Sequence, residues 1–255
     1  MRQRMSLRLI AAAAAFAVAS ITALGSVAAG SEERAPVVLE LFTSQGCSSC
    51  PSADAYLGEL AKRGDVLPLS IHVDYWNYIG WVDPYASEAN TARQKAYMHA
   101  LRTSYVYTPQ LVIDGRQHVV GSDRAAVEAA IEAAKAAQGV HLKVEVNEER
   151  GGRMRVKVPP ARIDGPAAIL LVAFDRQHVT QVQAGENSGR EITNYRVVRA
   201  IKKIGRFDGT ETEIAFDEIS VLPNLTADGC AVLVQSEKTG AILGAGLAWM
   251  NPEGS

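Results

Sequence analysis

Two different patterns of hydrophobic and polar positions divide this chain. Between residues 36 and 137, short apolar runs typical of buried strands alternate with segments of helical period. From Val140 onward, apolar and polar residues alternate with a period of two, and clusters of Gly, Asn, Asp and Pro separate the runs. The change of period predicts a mixed α/β unit followed by an all-β unit.

The first pattern predicts alternating strands and helices. The strands are expected at residues 36–42, 66–73, 110–113 and 117–120, and the helices at 52–63, 87–103 and 122–137. Asp114-Gly115, the preferred pair for a two-residue hairpin turn, joins the last two strands. Pro68 has no backbone N–H to donate, which favours an edge or strand-start position in the second strand.

The second pattern predicts short strands without a strong helical period. These strands favour a small β-sandwich packed against the first unit. They are expected at residues 141–147, 153–158, 167–174, 193–204, 211–216, 230–236 and 241–249.

The first 29 residues show a third pattern, which is typical of a secretory signal peptide. Three arginines precede an apolar, alanine-rich run at residues 9–24, and small residues follow near Ala28. The run is shorter than the about 20 residues that a spanning helix needs, so cleavage is favoured over a membrane anchor. We expect a periplasmic or secreted protein with regions at residues 1–29, 30–139 and 140–255, and no membrane span after cleavage.

Charge and cysteine content argue against two classes of protein, nucleic-acid-binding proteins and disulfide-rich scaffolds. The chain has 255 residues and a formal net charge of −2, so no basic excess favours nucleic acid as a partner. Its three cysteines, Cys47, Cys50 and Cys230, are too few for a disulfide scaffold. Cys230 lies in an apolar β-type run, where a buried and inert thiol is the usual case.

Cys47 and Cys50 form a Cys-x-x-Cys pair between the first strand and the first helix. A helix N-terminus offers free backbone N–H groups and the positive end of the helix dipole, and both favour a thiolate. A second thiol at this spacing can resolve a mixed disulfide. Together with an oxidising compartment, the motif favours thiol–disulfide chemistry.

Two structural roles for the cysteine pair stand beside redox chemistry. A structural disulfide across so short a loop would remove little entropy from the unfolded chain. A zinc site needs about four ligands, and the sequence holds no second Cys-x-x-Cys and no suitably spaced histidine pair. We therefore expect neither a metal nor an organic cofactor.

Thr108-Pro109 directly precedes the third strand, and the order of elements returns this segment to the sheet beside the cysteines. A cis proline there would lie against the dithiol, and the backbone of Thr108 could pair with an extended substrate. An ordinary loop proline is the alternative.

Residues 74–86 form an insert with a high aromatic content. Tyr75, Trp76 and Trp81 are candidates for a substrate groove beside the dithiol, because aromatic side chains anchor recognition at low entropic cost. The alternative, which we favour, is a packed lid over the insert's own backbone. Asp74 can accept a proton from the resolving thiol or cap the loop, and the cap is the favoured interpretation.

Beyond these separate motifs, residues 36–137 resemble the thioredoxin superfamily, and the chain after the leader is similar to the secreted proteins of the DUF1223 family. The resemblance to the second family rests on residues 41–51, 72–76, 80–83, 93–94, 97, 107–110, 185–190 and 197–199. It implies an α/β thioredoxin-like domain in an exported protein, to which the second pattern adds an all-β, sandwich-like domain.

The thioredoxin resemblance implies roles for three residues. Cys47 would be the attacking thiol, Cys50 the resolving thiol and Pro109 the cis proline. The dipeptide Ser48-Ser49 stands where thioredoxin has Gly-Pro, so the resemblance leaves the direction of electron flow open.

These observations favour an exported thiol–disulfide oxidoreductase that uses a Cys-Ser-Ser-Cys dithiol. Its substrate would be a protein or small-molecule thiol or disulfide, with a redox partner in the envelope. The alternatives are a non-enzymatic interaction module with a structural Cys47–Cys50 disulfide, and a thiol-dependent peroxidase. The sequence specifies neither the substrate nor the oligomeric state.

Overall fold

The computed structural model describes residues 35–149, 152–223 and 225–250, and the predicted signal peptide at residues 1–29 lies outside these ranges. The helices are Pro51–Leu60 (α1), Glu88–Ala100 (α2), Arg124–Ala136 (α3) and Glu218–Val221 (α4). The strands are Val37–Thr43 (β1), Val66–His72 (β2), Gln110–Ile113 (β3), Gln117–Val120 (β4), Leu142–Lys143 (β5), Glu145–Glu149 (β6), Arg153–Val158 (β7), Ala167–Gln181 (β8), Glu191–Phe207 (β9), Thr212–Asp217 (β10), Gly229–Ser236 (β11) and Ile242–Trp249 (β12). Within the described residues, no helix combines the length and the apolar character that crossing a bilayer requires.

A mixed sheet of nine strands runs through both halves of the chain, in the order β4-β3-β1-β2-β9-β8-β11-β12-β5. β1 and β2 are parallel, and β3 and β4 continue the sheet as an antiparallel hairpin. β8, β9, β11 and β12 form the antiparallel part. A smaller antiparallel sheet has the order β10-β7-β6.

The predicted fold class, an α/β thioredoxin-like domain followed by an all-β sandwich-like domain, is wrong. The fold is mostly β, with a large curled sheet that continues across the predicted boundary at residues 139–140. The junction is a parallel pairing of β2 with β9 at Ser70 and Val197. β2 is buried along its whole length, so its second edge needs a partner inside the protein, and β9 provides one.

Pro68 is accommodated in β2 although this strand lies inside the sheet. It stands opposite Leu39 of β1, whereas β9 pairs with β2 two residues later, at Ser70. The proline therefore lies before the point where β9 pairs with β2. Only the part of β2 after Pro68 pairs along its second edge.

β8 and β9 are longer than their hydrophobic runs predict and form a bent hairpin. β9 bends at Arg196, whose φ of 51° lies in the left-handed region, and the register of β8 shifts between Ala173 and Phe174. Beyond the bend the hairpin packs over α1, so closely that a Cβ atom on Gly58 would lie 2.4 Å from the ring of Tyr195. The far end of the hairpin reaches the cysteine pair, where Asn187 donates to the carbonyl of Cys47.

One hydrophobic core joins the two halves of the chain. It contains residues of β1 and β2 together with residues of β8, β9 and β11, and helix α2 lies beside it. The contributing side chains include Val38, Phe42, Leu69, Ile71, Val172, Phe174, Val198 and Leu233. A second core lies beneath α1 and α3, and a third lies between the two sheets.

Because this core is shared, a cavity made in the second half should weaken the first half as well. We expect Leu233→Ala, at a fully buried position, to lower the free energy of unfolding by about 2–5 kcal/mol. Val179→Ala, at a position that is 54% exposed on β8, is the matched control and should change it little. Chemical denaturation followed by circular dichroism should show one transition that shifts as a whole, and two separate transitions would contradict the shared core.

Candidate functional site

Cys47 and Cys50 form a disulfide at the N-terminus of α1, with their Cα atoms 5.5 Å apart. Cys50 is the N-cap residue, and Pro51 occupies the first turn, where its missing N–H leaves no helical bond unmade. The carbonyl of Cys50 accepts hydrogen bonds from the N–H groups of Ala53 and Asp54 at 2.9 and 3.0 Å. The predicted order of strand, turn, cysteine pair and helix is therefore present.

Both cysteines are buried, with 1% of Cys47 and 0% of Cys50 exposed. Ser48 and Ser49, between them, are exposed, and the sulfur of Cys47 lies 3.3 Å from the hydroxyl of Ser49. An attacking thiol must be reachable by its substrate, so the burial of Cys47 is unexpected. A substrate reaches Cys47 only if a neighbouring segment moves.

The Thr108–Pro109 segment lies on one side of the cysteine loop, residues 44–50. Its peptide bond is cis, as predicted. The hydroxyl of Ser49 donates to the carbonyl of Thr108 at 3.5 Å, which places the backbone of Thr108 next to the exposed dipeptide. The substrate-binding role of this carbonyl stays a prediction.

The aromatic insert contacts the same surroundings through its indole groups. Trp76 donates from Nε1 to the hydroxyl of Thr108 at 2.8 Å, and Trp81 donates from Nε1 to Oε1 of Gln45 at 3.1 Å. Tyr75 is half-buried, and burial raises the pKa of its hydroxyl to about 12. These bonds give the insert a packing role, and its predicted part in substrate binding stays a prediction.

The tip of the β8–β9 hairpin, residues 182–190, covers the cysteine loop. Asn187 is fully buried and donates from Nδ2 to the carbonyls of Gln45 and Cys47, both at 2.9 Å. Glu186 accepts a hydrogen bond from the backbone N–H of Ser48 at 3.1 Å. Hydrogen bonds from the side chain and backbone of Ser48 lower the pKa of this carboxyl. In the sequence this segment stood out only as part of the family resemblance, and its contact with the cysteines was missed.

A buried polar cluster lies beneath the helix start. It contains Thr43, Asp54, His72, Asp83 and Asn194, each less than 3% exposed. His72 and Asp83 are joined by a 2.7 Å bond between Nδ1 and Oδ2. Asp83 also accepts the backbone N–H of Gln45 at 2.8 Å, which connects the cluster to the cysteine loop.

Several polar atoms of this cluster lack hydrogen-bond partners among the described residues. They are both carboxyl oxygens of Asp54, Nε2 of His72, Nδ2 of Asn194 and the hydroxyl of Thr43. The Thr43 and Asn194 side chains nevertheless act on the Asp54 carboxyl as hydrogen-bonding groups that lower its pKa, so these atoms belong to one interacting set. Because an unpaired buried polar atom is costly, such a concentration indicates a group that changes its protonation.

The pKa values of the two carboxyl groups in the cluster, Asp54 and Asp83, are shifted in opposite directions. Burial raises the pKa of Asp54 from 3.8 to about 7, with the charge of His72 acting in the opposite direction. Burial alone would lower the pKa of His72, but the adjacent Asp83 carboxylate outweighs it and the pKa is raised. Burial would likewise raise the pKa of Asp83, and the charge and hydrogen bonds of His72 lower it instead. Asp83 is therefore the ionised partner, and Asp54 is the group that can exchange a proton near neutral pH.

Asp54 is the functional candidate that sequence reasoning missed. It follows Cys50 by one helical turn, and side chains at this spacing share a helix face. The only signal in the sequence is an acidic residue four positions after the second cysteine, which an ordinary first-turn aspartate also explains. The Asp74 carboxylate accepts a hydrogen bond from the hydroxyl of Thr91, and its capping role stays a prediction.

Comparisons with known proteins identify a family and a similar overall structure. The model of a family described as a protein of unknown function, DUF1223, matches residues 38–235. A crystal structure of a protein from Agrobacterium tumefaciens is similar to this chain, with 35% sequence identity and a TM-score of 0.75. That similarity covers 87% of this chain and 97% of the other. No curated protein matches the chain.

If the hairpin tip limits access to the disulfide, then weakening its attachment should speed reduction. Asn187→Ala removes two hydrogen bonds to the cysteine loop, and we expect reduction by a water-soluble phosphine to become about tenfold faster. Ser188→Ala, which alters the exposed neighbour, should leave the rate unchanged. Equal rates for all three proteins would show that the tip does not control access.

Proposed function

This chain belongs to the DUF1223 family of proteins of unknown function, and we propose that it is an exported thiol–disulfide oxidoreductase. The observation that carries the proposal is the Cys47–Cys50 disulfide at a helix N-terminus, with a protonatable buried carboxyl one turn behind it. From the thioredoxin resemblance the proposal takes the roles of Cys47, Cys50 and Pro109, not the fold class.

The proposed reaction exchanges one disulfide for another. A thiolate of a dithiol substrate attacks the sulfur of Cys47, a mixed disulfide forms, and the bond to Cys50 breaks. The second thiol of the substrate then attacks the mixed disulfide, and Cys47 leaves as a thiolate. The substrate ends as a disulfide and the protein as a dithiol, while the reverse sequence reduces a substrate disulfide.

Asp54 supplies the proton that the leaving sulfur of Cys50 needs. The carboxylic acid is the stable form below a pKa of about 7, and the proton moves from its oxygen to the Cys50 thiolate. His72, held by Asp83, stabilises the carboxylate that remains, because the two charges are opposite and both groups are buried. In the reverse reaction, Asp54 accepts the proton of Cys50.

The surroundings of the pair favour an extended substrate segment beside the cis proline. Ser48 and Ser49 are exposed, the backbone of Thr108 lies next to them, and Tyr105 is a large apolar side chain that is 67% exposed nearby in the sequence. Trp76, hydrogen-bonded to Thr108, holds this segment in place.

The burial of both sulfurs favours a second candidate, in which the disulfide is a permanent staple and the protein is an interaction module of the envelope. In that case the tip residues Glu186 and Asn187 would be a permanent cover and not a gate. The two candidates differ in whether reduced Cys47 reacts in the folded protein.

Variants that lack one cysteine of the pair separate these candidates. With Cys50→Ser, the remaining Cys47 thiol should form a stable mixed disulfide with glutathione disulfide, since no resolving thiol is present. With Cys47→Ser, the remaining Cys50 should form far less adduct, because the proposal assigns the attack to Cys47 and only the resolving step to Cys50. Mass spectrometry of the native proteins measures both, with Cys230 unchanged in each. Absence of an adduct on Cys50→Ser would refute the oxidoreductase proposal.

The variant Asp54→Asn tests the proposed proton transfer through the pH dependence of stability and of the reduction rate. Between pH about 4 and 7 the folded protein holds a proton on Asp54 that the unfolded chain has released, so wild-type stability should fall as the pH rises through this range, by up to about 4 kcal/mol. The asparagine variant should lack this decline. Its reduction rate, divided by the thiolate concentration of the reductant, should be lower and independent of pH, whereas the wild-type value should fall above pH 7.

The control for this experiment is Asp123→Asn, at the exposed N-cap of α3, where asparagine caps equally well. It should retain the wild-type profiles. An Asp54→Asn variant that keeps the wild-type pH profile of the reduction rate would exclude Asp54 as the proton donor.

A further inference from the structure

A cleft of about 770 Å³ lies between helix α2 and the face formed by β8, β9 and the β11–β12 turn. It does not include the cysteine loop or the hairpin tip, so it is separate from the candidate site. Its volume falls in the range of cavities that hold one small ligand.

The walls of the cleft are apolar and smooth. Ala89, Ala92, Ala96 and Ala100 line one wall from successive turns of α2, and all four are exposed. Leu170 and Ile201 of the sheet line the other wall, and both also pack against the shared core. The alanine wall rises roughly 16 Å along the helix, which makes the cleft a trough for an elongated ligand.

The floor of the cleft is electrically balanced. Arg93 lines it, and its Nε donates to the buried Glu40 carboxylate at 2.6 Å. A second donor, Nη1, is bound by Gln235 at 3.1 Å. The guanidinium of Arg93 is therefore already paired, and the floor carries no free cation.

The rim carries an excess of positive charge. Arg199, Lys202 and Lys238 line the cleft, against one acidic lining residue, Glu237. Glu237 is already paired with Lys203 at 2.6 Å, outside the lining. Arg199 is paired with Asp175, and Lys238 with Asp164. Among the residues that the structure describes, Lys202 has no carboxylate partner, so its ammonium group is available to an anion.

We propose that this cleft binds a single-chain fatty acid, with its hydrocarbon chain along the alanine wall of α2 and its carboxylate at Lys202. The apolar trough accounts for the chain, and the unpaired cation on its rim accounts for the charge of the head group. A cationic amphiphile would be repelled by the excess of positive charge on the rim. A short carboxylate would leave the apolar walls unfilled.

Dodecanoate, used at concentrations where it is monomeric, tests the proposal by isothermal titration calorimetry on the whole folded protein. We expect saturable binding of one molecule per chain. Dodecyltrimethylammonium, which has the same chain and the opposite charge, and acetate, which has the charge without the chain, should bind much more weakly.

Two variants locate the binding. Lys202→Glu should weaken dodecanoate binding by at least about fivefold, because a repulsion replaces an attraction, and Ala96→Trp should abolish it by filling the trough. Lys95→Glu changes the charge of the same helix outside the cleft and should bind as the wild type does. Circular dichroism checks that each variant is folded, and Lys202→Glu, on an exposed position, keeps the test decisive if Ala96→Trp does not fold.

Three results would overturn the proposal. They are no saturable binding to the wild type, equal binding by the wild type and Lys202→Glu, and binding only to vesicles of anionic phospholipid and not to monomeric dodecanoate. None of these bears on whether Cys47 reacts with glutathione disulfide, so the cleft and the proposed oxidoreductase function stand or fall separately.

Discussion

β2 is buried along its whole length, and neither of its edges can be left to solvent. β1 occupies one edge and β9 the other, and this second pairing organises the rest of the molecule. It joins the antiparallel strands of the second half to the parallel strands of the first, and it creates the shared core on one face. The far end of β9 continues to the hairpin tip, which contacts the cysteine loop.

The cysteine loop is held mainly through its backbone. Asn187 binds two of its carbonyls, Asp83 accepts one of its N–H groups, and Glu186 accepts another. Buried backbone groups must find partners, and here the partners come from two distant segments that are themselves connected through the buried polar cluster. The loop, the tip and the cluster are therefore one network, and a change in the disulfide or in the protonation of Asp54 acts on all three.

The local elements of the first half could be predicted from the sequence, because their signals are local. Apolar runs marked β1 and β2, Ser87 marked the start of α2, and Asp114-Gly115 marked the β3–β4 turn. The partners across long distances in sequence could not be predicted. Ser70 and Val197 pair over more than a hundred residues, and Asn187 reaches Cys47 over a separation of 140 residues. The period of the hydrophobic positions shows only which face of an element is buried, and it does not show which distant segment covers that face. Asp54 was missed for a similar reason, since its unusual pKa arises from burial under strands that the helix pattern does not reveal.

The β8–β9 hairpin ends at the cysteine loop on one side and forms a wall of the alanine-lined cleft on the other. Two sites that share one pair of strands are candidates for thermodynamic linkage, and linkage is reciprocal. If occupation of the cleft favoured one position of the tip, the redox state of the disulfide would change the affinity of the cleft by the same factor. Arg196, where the hairpin bends, lies between the two and would be the place where such a coupling is strengthened or lost.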